Sequence, residues 1–313
     1  MKAIRRILVV LDPSLLRTPA LERGLALARA LRAELWLALY DRGPRLGLLG
    51  LGDRAEAHQL ETLMREQQST RLEELRLSVE NEVALPVHSI DAPERASGER
   101  ILSDLAHHQI DLLIKDVGHE SSLRRLVFLP LDWELLRSSP VPVWMAGAGS
   151  AGLPQRIVAG VDPVHPEHGA GALNDAILGT AQALQKLAGG AAHLRVFAAF
   201  TGLPAGLQSM DPVGLSLGIS FDELYEQMRV DHRAALDALM SRHHLANDQA
   251  VMLYGPAAYS ILDAMEGDQP DLLVVGTLRR HGLDRLLMGS TVERLIGETP
   301  CDVLAVPAEA ASV

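Results

Sequence analysis

Gly276 and the Gly289-Ser290 pair have the residue types and spacing to hold a polyphosphate. Asp271 to Val306 reads as strand, glycine loop, helix and strand. Its apolar run Leu272 to Val275 is too short for a helix, which predicts a buried parallel strand ending at Gly276. Gly289-Ser290 stands before the helical pattern Val292, Leu295, Ile296. Ser290 is therefore an expected N-cap, and the backbone N–H groups there are donors that attract phosphate. Lacking a Cβ, Gly276 clears the strand edge and Gly289 lets the backbone approach an oxygen closely.

The spacing resembles the signature of the universal stress protein family, in which Gly, two residues, Gly, nine residues and Gly-Ser or Gly-Thr cradle the phosphates of ATP. Gly276, Gly289 and Ser290 match, while the second glycine position holds Arg279. That arginine either pairs with a phosphate or closes the loop with its side chain. The resemblance implies that Asp162, after the first strand of its half, contacts the adenine side of the nucleotide. It also implies that the base pocket lies near Ala199, late in the second strand, with Val275 beside Gly276 at the phosphate end. Mg²⁺ would accompany bound ATP.

The elements that must position these residues occur twice. Asp111, Leu112, Leu113, Leu123, Arg125, Leu126, Leu135, Pro140 and Val143 recur at an offset of 160 residues, from Asp271 to Val303. At that offset Gly276 corresponds to Asp116, Gly289 to Leu129 and Ser290 to Pro130. A carboxylate repels phosphate and Pro130 has no N–H to donate, so the first half is expected to be a silent copy. The 313 residues divide into expected domains at 1–150 and 151–313, the first degenerate and the second with a partial nucleotide signature. FLPLDWELLRSSPVPVWM, Phe128 to Met145, resembles the corresponding segment of tandem universal stress proteins of the UspE type. By that resemblance the halves form an intrachain pseudo-dimer through Val141–Met145 and Val303–Val306, and the chain can dimerise further. Trp133 and Trp144 are expected to serve core or interface packing.

In the first half, strand Ile7–Leu11 ends in Asp12-Pro13; in the second, Ile157–Val161 ends in Asp162-Pro163. Helices follow, the first opened by Thr18 as N-cap with Pro19, the second running from Ala172 to Ala188 and stopped by Gly189-Gly190. Next come strands Glu34–Tyr40 and His193–Phe200, helices Arg54–Ser78 and Phe221–His243, and short strands Val83–Ser89 and Ala250–Tyr254. Third helices, Pro93–His107 and Pro256–Glu266, lead to the motif segments. Strands alternating with helices predict an α/β fold: two tandem Rossmann-like domains, each a mostly parallel five-stranded sheet flanked by helices. In such sheets ligands lie beyond the carboxyl ends of the strands, which places Asp162 and Gly276 at one edge.

A formal net charge of −11, without a basic patch interleaved with aromatics, argues against nucleic acid as a partner. No apolar run reaches the roughly 18 residues of a membrane span, and Met1 to Val10 lacks a signal-peptide layout, so a cytoplasmic protein is expected. The single cysteine, Cys301, excludes an internal disulfide and is expected in the core. His165, His168 and the pairs His107-His108 and His243-His244 offer at most two convergent ligands each, so no metal site is expected. No GxSxG, HExxH or GxxxxGK[ST] motif is present, which predicts a binding protein rather than an enzyme, weak ATP hydrolysis aside. The glycine- and leucine-rich stretches Arg42–Gly52 and Thr201–Ser220 either wall an apolar cavity for a small molecule or pack between halves or chains. Two functions stay open: an adenine-nucleotide-responsive protein with one site in the second half, which the glycine match favours, or a nucleotide-independent interaction protein.

Overall fold

A computed structural model of the chain describes residues 3–40, 54–92, 97–117, 131–147, 152–164, 170–202, 221–277, 294–295, 297–299 and 301–308. The chain divides into two compact units, Lys2–Leu153 and Pro154–Val313.

The first unit runs β1 (Arg6–Val10), α1 (Pro19–Leu31), β2 (Glu34–Tyr40), α2 (Arg54–Val83), β3 (Val87–Ala92), α3 (Gly98–His107), β4 (Leu112–Asp116), α4 (Leu131–Ser138) and β5 (Val143–Ala146). Its strands are parallel in the order β3-β2-β1-β4-β5. Ile7, Leu8 and Val9 of β1 are consecutive and all buried, which marks a central strand covered on both faces. α1 buries Ala20, Leu21, Leu25 and Ala28 at helical spacing.

Two sequence expectations are corrected here. α2 continues to Val83, so the strand expected from Val83 begins only at Val87. Val79 and Val83 are both buried, one helical turn apart, and that burial extends the helix. Thr18 precedes α1 in extended backbone, but its side chain makes no capping hydrogen bond. The Ala20 N–H donates instead to Asp116 Oδ1 at 2.9 Å.

The second unit runs β6 (Arg156–Val161), α5 (Ala170–Leu187), β7 (His193–Phe200), α6 (Phe221–Arg242), β8 (Ala250–Tyr254), α7 (Ala257–Asp268), β9 (Leu272–Thr277) and β10 (Asp302–Pro307). Its strands are parallel in the order β10-β9-β6-β7-β8. α5 stops where Gly189 and Gly190 take φ of 84° and 73°, a conformation glycine adopts at no steric cost, and their N–H groups bond back to Lys186 and Gln185.

The repeated aspartates have a structural task. Asp111 accepts from the backbone N–H groups of Arg5 and Arg6, and Asp271 accepts from those of Gln155 and Arg156, so each pins the start of its unit's central strand. Burial opposes the charge of Asp271, yet these N–H donors and the Arg156 guanidinium hold its carboxyl below the usual range. Cys301 is buried, and desolvation pushes its thiol up to about 12, which leaves it protonated and inert at neutral pH. Trp144 is wholly buried on β5 beneath the Arg23 guanidinium, 5.3 Å from its ring centroid, and Trp133 is half-buried on α4.

Candidate functional site

In the second unit the chain leaves β6 toward β7 and β8, then returns to form β9 and β10 on the other side. The switch in strand order therefore lies between β6 and β9, and the carboxyl ends of those strands mark the crevice where ligands bind such sheets. Asp162 follows β6 and is exposed. Ala199, one residue past the partner of Val161 in the β6–β7 register, is half-buried near the end of β7. Gly276 is half-buried near the end of β9. These three expected site residues thus share one sheet edge. Arg279, Gly289 and Ser290 lie outside the described residues, as do most of the two glycine- and leucine-rich stretches.

Val275 is buried as its strand predicts, and Gly276 differs from expectation in its place on the strand. Val275 is buried, 3.4 Å from where a Cβ on Gly160 would lie, so its side chain belongs to the core. Gly276 does not end the strand: it pairs with Val306, and β9 continues to Thr277. A Cβ at Gly276 would lie 2.5 Å from Leu173 Cδ2, inside van der Waals contact, so the packing of α5 itself demands glycine here.

Asn174, the residue after Leu173, was not singled out from sequence. Its Nδ2 donates to the Asp162 carbonyl at 2.6 Å, and its Oδ1 accepts the Asp162 N–H at 3.1 Å. Leu173 and Asn174 on α5 therefore fasten the ends of β9 and β6 in turn. The available signal was a lone asparagine within the apolar helix AGALNDAILGTAQAL, which must find partners if it is buried. Asp162 also accepts from the Val164 N–H at 3.3 Å, an Asx turn that orients its carboxylate.

At the matching edge of the first unit the charges are turned inward. The Asp116 carboxylate sits on the N-terminus of α1, where the helix dipole and an unpaired N–H favour an anion. Lys115 is buried and pairs with Asp132 at 2.7 Å, while its Nζ also donates to the Asp116 carbonyl at 2.9 Å. Glu134 accepts the Gly98 N–H at the start of α3 at 3.1 Å. Tyr40, at the end of β2, donates to buried Asp104, and burial followed by the Asp104 charge drives its phenol well above its usual range. Asp12 follows β1 and accepts the Ser14 N–H at 2.9 Å.

Elsewhere, no group of three or more His, Cys, Asp and Glu side chains among the described residues could hold a metal ion. His243 is engaged by Asp175 at 2.7 Å. No described helix is long and apolar enough to cross a membrane.

A family model described as the universal stress protein family matches residues 3–147 and again residues 155–307. The chain belongs to the universal stress protein family. Its two copies of the family domain lie in tandem. It is similar to the universal stress protein E homolog of Haemophilus influenzae, 27% identical over 311 residues that cover 96% of this chain and 97% of the relative. It is also similar to universal stress protein E of Escherichia coli K12, 25% identical over 316 residues covering 98% and 95%. Among solved structures, a functionally unknown Pseudomonas aeruginosa protein shares the fold with a TM-score of 0.69 and 24% identity, covering 98% of this chain and 94% of that one. A universal stress protein of Archaeoglobus fulgidus does so with a TM-score of 0.65 and 15% identity, covering 97% and 96%.

Proposed function

We propose that this universal stress protein is a non-enzymatic, adenine-nucleotide-responsive binding protein with one site, in its second half. The observation that carries the reading is the difference at equivalent strand ends. In the first unit the Asp116 carboxylate occupies the α1 N-terminus, whereas the second unit presents Gly276 at that place in the motif, with the exposed Asp162 on the neighbouring strand end. In this reading Asp162 and Ala199 face the base, and Gly276, with Arg279, Gly289 and Ser290 from the segment that follows, takes the phosphates of ATP and its Mg²⁺. Val275 contributes backbone only.

Calorimetric titration of ATP and Mg²⁺ into the full chain tests this, with Gly289→Asp as control because it sets a carboxylate against the phosphates. About one ATP bound per unmodified chain and none per variant is expected. No heat at millimolar ATP, an affinity weaker than about −4 kcal/mol, would overturn the reading.

A further inference from the structure

Asp162 stands one residue beyond the end of β6, where the sheet ladder no longer fixes the backbone. Asn174 fixes it instead. The asparagine is 4% exposed and spends its amide on a single residue, taking both the N–H and the C=O of Asp162. A side-chain amide offers one donor face and one acceptor face, so it matches the two backbone groups of one residue without leaving a buried polar atom unpaired. Alanine or leucine would satisfy neither group, and aspartate would set an oxygen against the Asp162 carbonyl. The Asp162 carboxylate stands at the surface, where it accepts the Val164 N–H, while Asn174 clamps the backbone that carries it.

Asn174 stands twelve residues after Asp162, and the residue twelve after Asp12 is Gly24. Gly24 has no side chain to offer, and a Cβ there would lie 2.5 Å from Val9 Cγ2. At the same chain distance from the strand-end aspartate, α1 thus packs close onto β1 while α5 carries a side chain that reaches the end of β6.

We infer that Asn174 is a positioning residue for ligand recognition, holding the Asp162 carboxylate where it accepts the 6-amino group of an adenine ring. The inference rests on the nucleotide reading above. A carboxylate is an acceptor only, so it rewards a ring N–H donor, and it does so in proportion to how well its geometry is fixed beforehand. Asn174 touches no ligand itself.

The test crosses protein and ligand changes. ATP, AMP and purine riboside triphosphate, which lacks the 6-amino group, are titrated into the full chain and into Asn174→Ala. The unmodified chain is expected to prefer ATP over the 6-deamino analogue by about tenfold, the size of a hydrogen bond to a charged group. In the variant that preference falls to within about twofold, while the ratio of ATP to AMP affinity stays unchanged. Equal weakening of all three ligands would show a merely structural asparagine, and an unchanged preference would show that Asp162 needs no clamp; either overturns the inference. Should Asn174→Ala fail to fold, Asn174→Asp keeps the shape and the acceptor and is expected to lower the preference by an intermediate amount. Failure of the nucleotide reading is distinguishable, because the unmodified chain would then bind none of the three.

Discussion

The carboxyl end of β4 in the first unit and that of β9 in the second share one residue spacing and carry opposite chemistry. Where the first has Lys115-Asp116, the second has Val275-Gly276; where the first has Tyr40 bonded to Asp104, the second has Phe200. Glu134, which caps α3, corresponds to Arg294, whose guanidinium lies 3.9 Å from the centroid of Tyr259 on α7. The first unit thus supplies its own anions to the N-termini of α1 and α3, and the second has Gly276 and Arg294 at the matching positions. On the proposed function, the first unit admits no phosphate at this helix N-terminus because its own carboxylate already holds it.

The comparison is most easily broken at the buried pair. Lys115→Met removes the ion-pair partner of the buried Asp132 and is expected to destabilise the chain by about 3–5 kcal/mol in urea denaturation. Lys115→Val with Asp132→Val, which copies Val275 and Val292 of the second half, is expected to recover most of that loss. A double variant as unstable as the single one would show that the pair does more than satisfy itself.

Gly276→Val comes next. Its Cβ would collide with Leu173, and a destabilisation of about 1–3 kcal/mol is expected. Leu173→Ala should relieve part of it if the clash is the cause. Asp116→Ala removes the carboxylate on α1 and is expected to cost about 1 kcal/mol, the usual size of a lost helix cap, whereas Thr18→Ala should cost less because its hydroxyl does not cap.

The smallest effect concerns pH. Trp36 on β2 lies between the rings of His88 and His108, at centroid distances of 4.4 and 4.1 Å, and His107 meets His108 edge-on at 4.7 Å. Burial first, then the neighbouring His107, holds His108 below its ordinary value of 6.5, against the pull of Asp104. A depressed histidine pKa means that the unfolded chain binds more protons. The contribution is therefore complete above about pH 6.5, declines as pH falls from there, and levels off below the folded-state value. The denaturation midpoint of the unmodified chain should fall more between pH 7 and 5 than that of His108→Gln.

Much of this fold was legible in the sequence because it is written in burial. The runs Ile7–Val10, Ile157–Val161 and Leu272–Val275 are apolar on both faces, and only a parallel sheet covered by helices accommodates that pattern. The sequence expectations fail where a distant residue decides the outcome or where one apolar pattern suits both helix and strand. Thr18 looked like the cap of α1, but the donor goes to Asp116, far along the chain. Val83 looked like the start of a strand, but it completes a helical stripe with Val79. In the site, topology places Asp162 and Gly276 at one edge, and the family resemblance adds Ala199. Asn174 was missed because its role depends on which backbone atoms the fold brings within reach of α5, and no local pattern encodes that.

The central claim, that the second half alone keeps a nucleotide site, is tested most directly by photolabelling the full chain with 8-azido-ATP and mapping the modified peptide. Label confined to residues 154–313 and displaced by excess ATP is the predicted result. Displaceable label within residues 2–153, or no displaceable label anywhere, would contradict it.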